Sequence, residues 1–116
     1  MQKKSVNRSD RVAAEVRRVL SEFFIHNSLG DEEIDTTFLS VTDVVLSSCL
    51  RHLKIYISSS SKDISSDDYI EFLKQHVPHL RHYIGTQIRL KFVPDLSFFI
   101  DDSFDYAKRI ESLLGK

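Results

Sequence analysis

Residues 69–100 read YIEFLKQHVPHLRHYIGTQIRLKFVPDLSFFI, and this stretch decides the fold. Its centre is His76-Val77-Pro78. Pro78 lacks an N–H and biases Val77 away from helical geometry, yet a proline is well suited to the first turn of a new helix. The stretch is therefore predicted as a helix, a sharp break, a second helix beginning at Pro78, and a strand. Tyr69, Phe72, Leu73 and His76 share one helical face; Leu80, Ile84 and Ile88 repeat at helical spacing after the break. Gly85 interrupts the second helix at a cost of roughly 1 kcal/mol relative to Ala, which a close helix-on-sheet approach explains. From Lys91 to Asp101 the chain reads as a strand, with Leu96, Phe98 and Ile100 alternating with Ser97, Phe99 and Asp101. Pro94 then belongs at a strand start, edge or bulge.

Outward from this stretch, residues 9–27 form an amphipathic helix capped by Ser9, with Val12, Val16, Val19, Leu20 and Phe23 on its apolar side. Residues 28–37 are a loop containing an acidic run. Phe38–Leu46 is a strand of imperfect alternation, so its inward face stays open. Leu53, Ile55 and Ile57 alternate with Lys54, Tyr56 and Ser58 in a half-buried second strand, and the short link between the two strands implies an antiparallel pair. Ser65 to Asp68 resembles a capping box. Ser103 opens a last short helix. Val16, Leu20, Ile55, Ile57, Leu73, Ile84, Leu96 and Phe98 are expected to share one core.

At 116 residues, 41% apolar and 28% charged, the chain reads as one domain spanning 1–116, with 1–7 flexible and 8–114 folded. No apolar run reaches the length of a membrane span or follows the N-terminus as a signal peptide would, so a cytoplasmic protein is expected. The lone Cys49 makes no internal disulfide. His79 and His82 share a helical face, but no third ligand or metal motif joins them, and no metal or cofactor is expected. Asp101, Asp102 and Asp105 sit where capping carboxylates belong. Flanking glycines for a nucleophile elbow or a phosphate loop are missing, so no catalytic residue is assigned and an enzyme is disfavoured.

The charge is segregated. Residues 28–50 carry five acids and no base, whereas residues 76–94 carry Arg81, Arg89 and Lys91 and no acid. Such a basic segment beside a helix break suits a phosphate backbone. The candidate RNA contacts are Arg8, Arg11, Arg51, Lys54, Arg81, His82, Arg89 and Lys91, and nothing in the core pattern requires positive charge at these positions. Tyr56 and Tyr83 are the aromatic residues expected outside the core. So few of them favours recognition of backbone and shape over base-by-base reading.

Three stretches resemble the bacterial ribosome-binding factor A family: RSDRVAAEVRRVLSEFF at 8–24, LSVTDVVLSSCLRHLKIYIS at 39–58 and HLRHYIGTQIRLKFVPDLSFFIDDSFDYAKRIESLL at 79–114. The resemblance implies an α+β, type II KH-like domain, with helices on one face of a three-stranded mixed sheet and an interrupted helix in place of the GxxG loop. It also implies a monomeric, non-enzymatic assembly factor that binds the 30S small ribosomal subunit and 16S rRNA late in maturation and is linked to growth in the cold. The family's Ala-x-Gly interhelical kink falls on His76, Val77 and Pro78, where neither signature residue is kept. Its basic loop after the first helix is replaced by the acidic GDEEID of 30–35. The competing reading is a KH-like protein-interaction module without direct RNA binding, using that acidic loop or an exposed sheet edge.

Overall fold

The computed structural model describes residues 8–26, 29 and 34–101. The final helix expected from Ser103 and most of the acidic run lie outside the described residues. The elements, in order, are α1 (Arg8–His26), a 3-10 turn (Thr36–Phe38), β1 (Leu39–Leu46), β2 (His52–Ser59), α2 (Ser66–Gln75), α3 (Val77–Gln87) and β3 (Asp95–Ile100). β2 is central, antiparallel to β1 and parallel to β3. The parallel pair needs a crossover, which α2 and α3 supply.

All three helices lie on one face of the sheet. On α1, Val16, Val19, Leu20, Phe23 and Phe24 are buried. Beneath them lie Leu53, Ile55 and Ile57 of β2 and Leu96 and Phe98 of β3, with Leu73 of α2 and Ile84 of α3 in the same cluster. All eight core residues expected from the sequence belong to it. Its buried Thr36 hydroxyl donates to the Phe24 carbonyl at 2.9 Å, and the Tyr69 phenol donates to the Asp35 carbonyl at 2.8 Å. These bonds fasten the 34–38 segment between the end of α1 and the start of α2.

The imperfect alternation of β1 is a β-bulge. Val41 pairs with Ile57 and Asp43 with Tyr56, leaving Thr42 as an extra residue. Leu39 and Val41 face the core before it, Val44 and Leu46 after it. The Thr42 hydroxyl lies on the opposite face, 2.5 Å from an Asp101 carboxylate oxygen and 3.2 Å from the Tyr56 carbonyl oxygen.

The helix break spans one residue. His76 is both the C-cap of α2 and the N-cap of α3, at φ −110° and ψ 14°. Its N–H bonds back to the Leu73 carbonyl at 3.0 Å, and its own carbonyl accepts from the Leu80 N–H at 3.0 Å. The His76 Nδ1 donates to the Phe72 carbonyl at 2.9 Å, so the ring holds the kink from the α2 side. Ser65 caps α2 by accepting from the Asp68 N–H at 3.0 Å, as its sequence pattern predicts.

Five expectations are corrected. Ser9 lies inside α1, which begins at Arg8. Phe38 belongs to the 3-10 turn and not to β1. Helix α3 begins at Val77, with Pro78 in its first turn. The third strand begins at Asp95, not Lys91, because residues 88–94 form an irregular connection across which Pro94 can donate no ladder bond. Gly85 faces this connection and not the sheet: a Cβ there would stand 3.1 Å from the Val93 Cγ2.

Candidate nucleic-acid interface

The connection from α3 to β3 gathers the basic residues. Arg81 of α3 reaches across to it, donating from Nε to the Pro94 carbonyl at 3.1 Å and from Nη2 to the Val93 carbonyl at 2.5 Å. Two parallel donors on one planar group fix the loop more tightly than an ammonium would. Arg81 is half-buried and has a structural task, so the expectation that no charge here serves the fold is corrected for this residue. The pinned loop presents Arg89, Lys91 and Phe92 to solvent.

Beside it lies the β1–β2 connection, residues 47–51. The Ser47 N–H donates to the His52 carbonyl at 2.9 Å, and the Ser47 hydroxyl accepts from the Arg51 and His52 N–H groups at 3.3 and 3.1 Å. Leu50 closes this turn at φ 65°, a left-handed conformation that non-glycine residues seldom adopt. The Asp95 N–H donates to the Arg51 carbonyl at 2.9 Å and locks the two connections together. Cys49, in the same turn, is exposed, and a hydrogen bond with Ser47 lowers its thiol pKa.

Between these connections and the start of α1 opens a cavity of about 240 Å³. Leu46, Leu50, Leu90 and Pro94 give it apolar walls, while Arg8 and Lys91 line it with charge. Phe92 also lines it, at 52% exposure, and the Arg51 guanidinium carbon sits 5.5 Å from the centre of its ring. That contact is within cation–π range. Of the sequence-predicted residues, Arg8 and Lys91 thus line one cavity, and Arg51, from a third segment, adjoins it through the Phe92 ring. Among the described residues none of them has a carboxylate partner; the ion pairs seen there belong to Arg18, further along α1, with Glu15 at 2.8 Å and Glu22 at 3.4 Å.

The remaining candidates are dispersed. Arg11 borders a shallow hollow with Asp10, Glu15 and Arg18, where acids and bases balance. A neighbouring hollow of about 500 Å³, lined by Asp10, Arg17, Arg18 and Asp43 among others, is balanced in the same way. Lys54 stands on the open face of the sheet, paired across strands with Val45 and Ser97. His82 is exposed on α3. The kink of His76, Val77 and Pro78 opens α3, whereas the cavity lies beyond its other end, roughly 15 Å along the helix. His76 is committed to the Phe72 carbonyl, and the His79 ring packs 6.0 Å from Phe23.

The aromatic expectation is also revised. Tyr83 packs on Phe23 with ring centres 4.7 Å apart and is not a free platform. Tyr56 stacks on Phe99 across the open sheet face, centres 5.5 Å apart and planes 29° apart. Phe92 is the residue that sequence reasoning missed. Its signal is the alternation Arg89-Leu90-Lys91-Phe92, basic residues interleaved with apolar ones, of which the sequence reading assigns Lys91 and Phe92 to the third strand.

Among the described residues no helix is long and apolar enough to cross a membrane, and no group of three or more His, Cys, Asp or Glu is placed to hold a metal ion. Three helices on one face of a three-stranded mixed sheet, with a kinked helix pair as the crossover, define a KH-like α+β protein. The family model described as Ribosome-binding factor A matches residues 8–114. The chain is 34% identical over 110 residues to ribosome-binding factor A of Caldicellulosiruptor bescii, covering 94% of this chain and 83% of that protein. It is 35% identical over 114 residues to that of Xanthomonas euvesicatoria pv. vesicatoria, covering 98% and 85%. The crystal structure of ribosome-binding factor A from Thermus thermophilus superposes with a TM-score of 0.67 at 20% identity, over 81% of this chain and 97% of that one. A homology model of a Thermus thermophilus ribosome binding factor A, fitted into a cryo-EM map of its 30S complex, superposes with a TM-score of 0.63 at 21% identity, over 78% and 91%. The chain belongs to the ribosome-binding factor A family.

Proposed function

We propose that this protein is a cytoplasmic, non-enzymatic assembly factor that binds the 30S small ribosomal subunit as a monomer, contacting 16S rRNA during its late processing and maturation. Family membership supports the partner, since the related Thermus protein was fitted into a 30S complex. The observation that carries the RNA reading is the convergence of Arg8, Arg51 and Lys91 on one edge without an acid among the residues lining it. Cations held together without carboxylate partners attract phosphate and release its counterions, so binding weakens steeply with salt. Arg89, exposed on the same connection, extends the basic edge.

Co-sedimentation with purified small subunits at rising salt tests this. The expected result is a steep loss of binding with salt, and an Arg8/Arg51/Lys91→Ala variant whose salt slope is shallower by roughly 1 per phosphate contact removed. A variant that folds normally and binds with unchanged affinity and slope would refute the assignment. The second reading, a protein-interaction module, draws on the open sheet face, where Asp43 pairs across the strands with Tyr56 and Asp101 lies beside them through Thr42.

A further inference from the structure

We infer that the Phe92 cavity receives one unpaired nucleobase of the bound RNA, stacked on the Phe92 ring, with Arg8, Arg51 and Lys91 holding the phosphates on either side. The inference rests on the RNA-binding reading and deepens it from backbone contact to capture of a single-stranded nucleotide. A phosphate-only site needs cations and no aromatic ring. Here the ring is more than half exposed in the middle of the cations, and its environment is built.

Three observations support a planar, uncharged occupant with charged flanks. First, the cavity, at about 240 Å³, is below the ~300–1,000 Å³ of clefts that enclose drug-sized ligands, so it suits one ring system. Second, its interior is apolar and its charges lie with Arg8 and Lys91, the division that a base and its sugar-phosphate neighbours present. Third, the walls are held at a cost. Leu50 keeps a left-handed backbone that a glycine would adopt freely, and Arg81 commits its guanidinium to the loop carrying Phe92. The planar Arg51 guanidinium beside the ring borders the base site while its charge faces a flanking phosphate. An A-form duplex keeps its bases in the stack and offers only backbone and groove, so the occupant is a splayed nucleotide from a loop, bulge or end.

The test measures binding of two probes, a short single-stranded oligoadenylate and a blunt RNA duplex of equal length, across a salt series. Phe92→Ala is expected to weaken oligoadenylate binding by roughly tenfold, the scale of one lost base stack, with the salt slope unchanged. Duplex binding is expected to move little. Phe92→Tyr keeps the stacking face and should bind like the parent, whereas Phe92→Leu keeps apolar bulk and should not. Thermal unfolding of each variant verifies the fold. If Phe92→Ala and Phe92→Leu bind oligoadenylate as the parent does, no base enters the cavity, even where salt-dependent binding to the small subunit persists. If Phe92→Ala loses the small subunit but keeps oligoadenylate, a protein side chain occupies the cavity and the inference falls. Salt-independent binding of both probes would instead remove the phosphate reading beneath it.

Discussion

Phe99 on the open sheet face and Phe92 at the sheet's end both show an aromatic ring to solvent, and they differ in what surrounds the ring. On the open sheet face, Phe99 is 41% exposed and stacks on Tyr56, beside Asp43 and Asp101, with Lys54 further along the same face. At the sheet's end, Phe92 is exposed amid Arg8, Arg51 and Lys91. Exposure and ring type are alike; charge is opposite. A polyanion is repelled from the first and attracted to the second, so the surrounding charge, and not the aromatic residue, separates the surface proposed for RNA from the other.

The largest test of this comparison removes what both regions stand on. Phe98 points into the core directly beside Phe99, which points out. Phe98→Ala should cost about 3–5 kcal/mol, read from urea unfolding, and should disable both surfaces together. A small loss would mean that the β3 register is not what holds them. Next in size is Arg81→Ala. Losing two charge-assisted bonds to backbone carbonyls should cost about 1.5–3 kcal/mol and weaken small-subunit binding through the loosened loop. Arg81→Lys should not restore it, since an ammonium lacks the planar fork. Full stability in Arg81→Ala would show that the loop is held by other contacts.

Single lysines sharpen the contrast at lower cost. Lys91→Ala should shallow the salt slope of binding by roughly 1, while Lys54→Ala should leave it unchanged. Both should stay within ~0.5 kcal/mol of the parent in stability. Equal effects would erase the distinction between the two surfaces. The smallest effect is expected of Phe99→Ala, with small-subunit binding unaltered in the same sedimentation experiment. A clear loss there would shift the functional surface to the open face.

Much of this was legible in the sequence because it depends on neighbours along the chain. The His76-Val77-Pro78 break, the Ser65 cap and the alternation of β2 are local signals, and the structure keeps them. What was not legible depends on contacts between distant residues. The pairing of Arg81 with carbonyls 12 and 13 positions away turns an apparent free cation into a structural pin. The same pin, with Pro94, stops the strand four residues short of its predicted start and leaves Phe92 in a loop. Tyr83 looked exposed because its partner, Phe23, lies on another helix. The basic residues were all nameable from the sequence, but which of them meet is decided by the way two connections and the start of α1 close on each other.

The extra residue in β1 has a consequence for how this strand tolerates changes of length. Inward positions run 39, 41, then 44 and 46, so the two halves of the strand are out of step by one residue. Deleting Thr42 would bring them into step, leaving Leu39, Val41, Val44 and Leu46 on the core side of a regular strand and forfeiting its hydroxyl's links to Asp101 and the Tyr56 carbonyl. Deleting Ser40 or Val45 would instead turn part of the strand over, exposing core residues and burying polar ones. A single-residue gap in a relative is therefore compatible with this sheet at position 42 and incompatible two or three residues to either side.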